Sequence, residues 1–121
     1  MRSPLSGWIG GKSQLASRII ARIPAHRCYV EVLAGAAWVL FKRPESDVEV
    51  LNDLNRDVVT LYRVVQHHIE EFVRYFKWML VSRDEFDRMR RVDPETLTDV
   101  QWAARFFYLQ ILPFQRVKTA P

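Results

Sequence analysis

The chain has 121 residues, of which 49% are apolar and 26% are charged, and this composition is typical of one small globular domain rather than of a disordered chain. Its 18 Lys and Arg residues against 14 Asp and Glu residues give a net charge of +4, which permits nucleic-acid binding without requiring it. The lack of a membrane-length apolar run, of a secretory signal at the start and of a partner for Cys28 predicts a cytoplasmic protein without membrane contact.

The first half of the chain alternates between helical and strand patterns. The predicted elements are a glycine-rich loop over 6–12, a helix over 13–23, a strand over 28–33, a helix over 37–42 and a strand over 48–51. We expect the first strand to be buried, with Cys28 as a core residue rather than a nucleophile. A strand–helix–strand unit predicts two parallel strands joined by a right-handed crossover, and hence an α/β fold.

The second half of the chain is predicted to be helical. One long helix is expected from about residue 56 to about residue 80, with this apolar stripe: Val58, Leu61, Tyr62, Val65, Ile69, Phe72, Val73 and Phe76. Ser82-x-x-Glu85 and Thr98-x-x-Gln101 are capping-box patterns that predict two further helix starts. The last helix ends before Pro113, and its predicted stripe is Val100, Ala103, Ala104, Phe107 and Ile111.

The ends of the two predicted strands indicate where a ligand would bind. In open parallel sheets, ligands lie beyond the carboxyl ends of the strands, which here lead into Gly35 and Asp53. A carboxylate after the second strand is the usual partner of ribose hydroxyls in nucleotide-binding folds, because it accepts two hydrogen bonds at once. An Asx turn before the next helix also explains Asp53, and the pattern alone leaves both interpretations open.

The glycine-rich loop contains a second candidate motif. Gly10-Gly11-Lys12-Ser13 resembles the end of a phosphate-binding P-loop, but that motif requires a glycine at position 6, which is Ser6. Backbone amides with Lys12 still suit another anionic ligand, and Trp8 beside them either stacks on a ligand or fills the core. No metal site is predicted. The histidines lack companions at metal-ligand spacing and are expected on the surface: His26, His67 and His68.

Taken together, three segments resemble motifs of the Dam-type DNA adenine N6-methyltransferases. Residues 6–15 (SGWIGGKSQL) are similar to the family's W-x-G-G-K motif, and residues 29–39 (YVEVLAGAAWV) resemble its F-V-E-P-F-x-G-x-G-x-V cofactor motif. Residues 52–62 (NDLNRDVVTLY) resemble its D-x-N-x-D-L-x-x-L-Y segment. Residues 103–110 (AARFFYLQ) are similar, more weakly, to the family's helix that enters the target-recognition region.

This resemblance implies a partial Rossmann-like, S-adenosylmethionine-dependent methyltransferase fold of the α/β class. It implies methyl transfer from S-adenosylmethionine to adenine N6 in duplex DNA by the full-length relative. Carried over residue by residue, it implies that Trp8 and Lys12 contact the cofactor. Glu31 and Gly35 would then shape the turn under its methionine part, and Asp53 would bind the ribose hydroxyls.

The sequence departs from the family pattern at several positions. The family's proline and phenylalanine after the glutamate are Val32 and Leu33, and its second glycine is Ala37, whose methyl group crowds the cofactor if φ has to be positive there. The family's Asp-Pro-Pro-Tyr motif accepts the amino hydrogens of a flipped adenine. The chain holds no Pro-Pro dipeptide, so no catalytic residue is assigned.

These departures define the expected organisation and function. Residues 1–80 are expected to be the N-terminal part of the cofactor-binding domain, residues 81–114 the helical start of a target-recognition region, and residues 115–121 a disordered tail. The chain is expected to be an N-terminal fragment of a DNA adenine N6-methyltransferase that is inactive by itself. The alternatives are a non-catalytic cofactor- or DNA-binding remnant, or half of a split methyltransferase completed by a complementary chain.

Overall fold

The structure is a computed structural model that describes residue 5 and residues 12–112. The elements are helix α1 (Ala16–Ile20), strand β1 (Cys28–Glu31), helix α2 (Trp38–Lys42), strand β2 (Val48–Leu51), helix α3 (Arg56–His67), helix α4 (Ile69–Tyr75), helix α5 (Arg83–Arg91), a 3₁₀ turn (Pro94–Thr96) and helix α6 (Asp99–Ile111). The chain divides into two compact units, residues 1–55 and residues 56–121. The predictions for Trp8 and for the tail at 115–121 lie outside the described residues.

The first unit is built on a parallel pair of strands. β1 and β2 pair in register from Cys28 opposite Val48 to Glu31 opposite Leu51, with α2 between them in the chain, as the sequence predicts. α2 ends where Arg43 adopts an extended backbone, because a residue that precedes a proline avoids the helical region. The helix predicted over 13–23 is shorter in the structure, since only the five residues of α1 are α-helical and tighter turns follow.

The strands are more exposed than predicted. Cys28 is exposed, and the register partners Val30 and Val50 keep 50% and 43% of their surface accessible. Side chains alternate along a strand, so these three lie on one face of the pair. Glu31 lies on the other face, is 8% exposed and accepts a hydrogen bond from the Leu40 N–H of α2. A parallel strand is buried only when both faces are covered, so the expectation of a buried strand with a core Cys28 is wrong.

The long helix predicted from about 56 to about 80 is two helices in the structure. α3 ends at His67, and His68 has φ −138° and ψ 38°, outside the helical region. Glu70 and Glu71 lie in the first turn of α4, where the positive end of the helix dipole favours carboxylates. These charges support a new helix start at that point. His67 and His68 are exposed, as expected.

In the second unit, three helices pack against α6. The Trp102 indole N–H donates to Asp57 Oδ1 at 2.6 Å and links α6 to α3. The Phe107 ring lies 5.6 Å from the Phe72 ring of α4, and Tyr108 packs in a cluster with residues of α5. α6 is therefore the central helix of this unit.

The buried face of α6 differs in part from the predicted stripe. Ala103 and Ala104 are buried as expected, but Ile111 keeps 54% of its surface accessible. The large buried side chains are instead Trp102, Phe106 and Tyr108. A helix contacted by three others buries more of its circumference than one apolar stripe, which explains the difference.

Both predicted capping patterns begin helices. The Glu85 N–H donates to Ser82 Oγ at 3.1 Å at the start of α5. Thr98 and Gln101 form the reciprocal capping box of α6, in which each side chain bonds the other's backbone N–H. Within the described residues, no helix is long and apolar enough to cross a membrane.

Candidate functional site

Hydrogen bonds tie the carboxyl ends of β1 and β2 together. The Asn52 N–H donates to the Glu31 carbonyl at 2.7 Å, and the Ala34 N–H donates to the Asn52 carbonyl at 2.8 Å. The Asn52 side-chain amide also donates to the Val32 carbonyl at 2.9 Å. These bonds hold the loop that follows β1 against the residues that follow β2.

Asp53 is the side chain at which the two strand ends converge. Its Oδ2 accepts a hydrogen bond from the Gly35 N–H at 2.9 Å, and its Oδ1 accepts one from the Asn55 N–H, also at 2.9 Å. The second bond is the Asx turn that one interpretation predicted. Each carboxylate oxygen has a second lone pair, so the turn leaves Asp53 able to accept further hydrogen bonds. The Asx turn and a ribose-binding role are therefore compatible.

The loop between β1 and α2 has two residues in the left-handed region. Gly35 has φ 51° and Ala37 has φ 52°. Glycine adopts this backbone at no steric cost and leaves no Cβ in the turn, so a ligand can approach the backbone closely. Ala37 is 0% exposed, so its methyl group packs inside the protein. The positive φ that the sequence analysis considered for Ala37 is therefore present. It costs backbone strain of about 1–2 kcal/mol.

Two further predicted residues, Lys12 and Glu31, contact the segments next to this loop. Lys12 Nζ donates to the Leu33 carbonyl at 3.1 Å, which places it at the same strand edge as Gly35 and Asp53. The carboxylate of Glu31 accepts the Leu40 N–H at 2.7 Å through Oε1. Glu31 therefore anchors α2, the helix that follows the glycine turn. Trp8 lies outside the described residues.

The phenol of Tyr29 completes the environment of Glu31. Its O–H donates to the same Oε1 at 2.8 Å. Burial, followed by the hydrogen bond and the negative charge of Glu31, raises the pKa of Tyr29 from 10.0 to about 12. The Arg43 guanidinium, 3.7 Å above the Tyr29 ring, lowers that pKa but does not offset the rise. Tyr29 is therefore protonated at neutral pH and keeps its donor for Glu31.

Two residues of this arrangement, Asn52 and Tyr29, are not among the site residues predicted from the sequence. Asn52 directly precedes Asp53, and a pair of polar residues at a strand end is a signal that the sequence contains. Tyr29 is two residues from Glu31, which puts both side chains on one face of β1. That spacing also indicates a contact, although it does not reveal which atoms bond.

The comparison with protein families decides the identity of this chain. The D12 class N6 adenine-specific DNA methyltransferase family matches residues 8–120, a range that includes both strand ends, Asp53 and all six helices. The chain belongs to this family. The motif resemblance is thereby confirmed, and membership of a methyltransferase family implies a methyl donor.

Individual DNA methyltransferases are also similar to this chain. The DNA adenine methylase of Serratia marcescens is 30% identical over 106 residues, which cover 84% of this chain and 39% of that relative. The DNA adenine methylase of Escherichia coli (strain K12) is 32% identical over 74 residues, 61% of this chain and 26% of that relative. The type II methyltransferase M.MjaIII of Methanocaldococcus jannaschii is 28% identical over 92 residues, 69% of this chain and 31% of that relative. The chain thus spans less than two fifths of the length of these methyltransferases.

Proposed function

We propose that residues 1–80 are the N-terminal part of the S-adenosylmethionine-binding domain of a site-specific DNA adenine N6-methyltransferase. The observation that carries this proposal is the hydrogen bond between Asp53 and Gly35. It sets a carboxylate with spare acceptor capacity beside a glycine turn at the carboxyl edge of a parallel pair. That edge is where open α/β sheets bind nucleotide-like ligands.

Each predicted residue has a role in this proposal. Asp53 accepts hydrogen bonds from the ribose hydroxyls, and Gly35 lets the methionine part approach the backbone. Glu31 supports the turn by fixing α2, while Lys12 and Trp8 contact the cofactor. When bound, S-adenosylmethionine supplies the methyl group for transfer.

We propose adenine in duplex DNA as the substrate, because the similar proteins are named DNA adenine methylases. Residues 81–114 are proposed as the start of the region that recognises the target sequence. The chain has no Pro-Pro dipeptide, and hence no counterpart of the Asp-Pro-Pro-Tyr motif implied by the resemblance. We therefore propose that residues 1–121 do not transfer methyl groups without a segment that carries the motif.

Thermal melting with S-adenosylmethionine tests the cofactor site. A ligand that binds only the folded state stabilises it by about 2.7 kcal/mol at 100 times its Kd, so the midpoint should rise with ligand concentration. The Asp53→Asn variant should lose most of this rise, whereas Asp84→Asn, which changes an exposed carboxylate of α5, should keep it. Stabilisation by ATP alone, or an equal rise in the Asp53→Asn variant, would contradict the proposal.

A methyl-transfer assay tests whether the chain is inactive without the Asp-Pro-Pro-Tyr motif. The chain is incubated with S-adenosylmethionine tritiated on its methyl group and with adenine-containing duplex DNA. No radioactivity should enter the DNA unless a polypeptide with the Asp-Pro-Pro-Tyr motif is added. Transfer by the chain alone would refute the proposed inactivity. Binding of the cofactor without restored transfer by any such partner would favour a non-catalytic cofactor- or DNA-binding protein.

A further inference from the structure

A cavity of about 370 Å³ lies at the amino ends of β1 and β2, at the opposite end of the strands from Asp53. Its apolar wall contains Ile20 and Ile23, and its polar side contains His26 and Ser46. The volume falls in the range of small-molecule pockets, about 300–1,000 Å³. The proposed methyl-transfer function uses none of these lining residues.

His26 and Ser46 form a hydrogen-bonded pair in this cavity. His26 Nε2 lies 2.8 Å from Ser46 Oγ, and His26 Nδ1 lies 2.8 Å from the Pro24 carbonyl oxygen. A carbonyl oxygen only accepts hydrogen bonds, so in the neutral imidazole the proton is on Nδ1 and the lone pair is on Nε2. The Ser46 hydroxyl therefore donates to Nε2. This is the direction in which a histidine acts as the base for a serine nucleophile.

A buried cation supports the same serine oxygen. Arg43 Nη1 donates to Ser46 Oγ at 2.7 Å, and the Arg43 side chain is 3% exposed. Its other contacts include the Glu49 carboxylate at 2.9 Å and the face of the Tyr29 ring. The buried Arg43 Nε–H has no hydrogen-bond partner among the described residues. A fixed positive charge one hydrogen bond from Oγ favours transfer of the hydroxyl proton to His26 Nε2.

We propose that Ser46 is a nucleophilic serine, activated by His26, which reacts with small carboxylic esters. Ser46, His26 and the Pro24 carbonyl are the nucleophile, base and orienting group of an activated serine site. The acyl group lies against the apolar wall of Ile20 and Ile23. Glu45 and Asp47 also line the cavity, together with Arg43. Because the charge of Arg43 is paired with Glu49, neutral and cationic esters are favoured over anionic ones.

The reaction needs only the ester and water. Ser46 Oγ bonds to the carbonyl carbon while its proton moves to His26 Nε2, and the Nδ1–H stays on the Pro24 carbonyl. The bond between the carbonyl carbon and the leaving oxygen then breaks, and the leaving alkoxide takes the proton from Nε2. Water attacks the acyl-Ser46 ester, gives its proton to Nε2, and the proton returns to Ser46 Oγ as the carboxylic acid leaves.

Labelling of the whole chain with an alkyl fluorophosphonate tests this proposal. Ser46 Oγ bonds to phosphorus, the P–F bond breaks and fluoride leaves. Peptide mass spectrometry should find one adduct per chain, on Ser46, and none in the Ser46→Ala variant. His26→Gln should slow labelling by about 10²-fold or more, the usual contribution of a general base. Ser17→Ala, which changes an exposed serine of α1, should label like the unmodified chain.

Labelling of the unmodified chain tests the reactivity of Ser46 without relying on how the variants fold. Its labelling is compared in buffer and in urea, which separates His26 from Ser46, and the folded chain should react much faster. No adduct, an adduct spread over several serines, or equal rates in buffer and urea would overturn the proposal. The hydrogen bonds of Ser46 would then serve only to join the segments that precede β1 and β2.

Discussion

The carboxylate of Asp53 accepts a hydrogen bond from the backbone N–H of Gly35, 18 residues earlier in the chain, at 2.9 Å. The same side chain closes an Asx turn with the Asn55 N–H. One residue therefore fixes both the glycine turn after β1 and the chain direction after β2. This double use links the stability of the first unit to the geometry of its proposed cofactor site.

Replacing Asp53 should destabilise the chain even without a ligand. Asp53→Ala removes the hydrogen bonds to the N–H groups of Gly35 and Asn55, and each such bond contributes about 0.5–1.5 kcal/mol. Asp53→Asn keeps one acceptor oxygen and should cost less. Urea unfolding followed by circular dichroism measures both. Asp47→Ala, an exposed residue of the same unit, is the control, and a change within about 0.5 kcal/mol is expected. Equal stabilities of Asp53→Ala and Asp47→Ala would contradict the role of Asp53.

Ala37→Gly should cost the protein less stability than Ala36→Gly does. Ala37 has φ 52°, and an L-residue in the left-handed region costs about 1–2 kcal/mol. Glycine removes this strain, but it adds about 0.5–1 kcal/mol of backbone entropy to the unfolded state and loses a buried methyl group worth about 0.8 kcal/mol. These contributions nearly cancel, so Ala37→Gly should change the free energy of unfolding by less than about 1 kcal/mol. Ala36 is as deeply buried but is not among the described residues with positive φ. Ala36→Gly relieves no such strain and should therefore lower the free energy of unfolding by more than Ala37→Gly does. Equal losses in urea unfolding would refute the strain argument.

The sequence predicts those parts of the fold that depend on local chemistry. The capping residues Ser82 and Thr98 begin helices where their patterns indicate, because a side-chain cap acts within one turn. The strand ends at Gly35 and Asp53 also meet as expected, since parallel strands bring their carboxyl ends to one edge. Cofactor binding by these residues stays a prediction.

The features that the sequence does not predict depend on packing partners. Cys28 and Val30 have the composition of a buried strand, yet burial requires elements on both faces, which a local pattern does not report. The break at His68 falls inside an apolar stripe that continues past it. The predicted stripe of α6 omits Trp102, which is buried because that helix packs against several others. Packing between distant segments decides the exposure of Cys28 and the burial of Trp102, whereas the break at His68 coincides with local charges, Glu70 and Glu71 in the first turn of α4.

Removing the hydroxyl group of Tyr108 should destabilise the second unit. The Tyr108 O–H donates to the Leu80 carbonyl at 2.9 Å, and the side chain is 1% exposed. Tyr108→Phe removes this hydrogen bond, and because Leu80 is exposed its carbonyl can bond to water instead, so the cost should be about 0.5–1.5 kcal/mol. Tyr75, on α4, keeps 39% of its surface accessible, so Tyr75→Phe is the matched control and should change stability by less than about 0.5 kcal/mol. Chemical unfolding measures both variants, and equal losses would contradict the importance of the buried bond.

Alkaline titration should show that Tyr29 loses its proton late. Burial and Glu31 raise the pKa of Tyr29 from 10.0 to about 12. The unfolded chain loses this proton near pH 10 and the folded chain near pH 12, so unfolding releases a proton between them and stability falls as pH rises through that interval. Tyrosinate absorbance should show a late component that Tyr29→Phe removes and Tyr75→Phe retains. If the late component persisted in Tyr29→Phe, the hydrogen bond to Glu31 would not be its cause. The Tyr29→Phe protein should also lose less stability than the unmodified chain between pH 10 and pH 12.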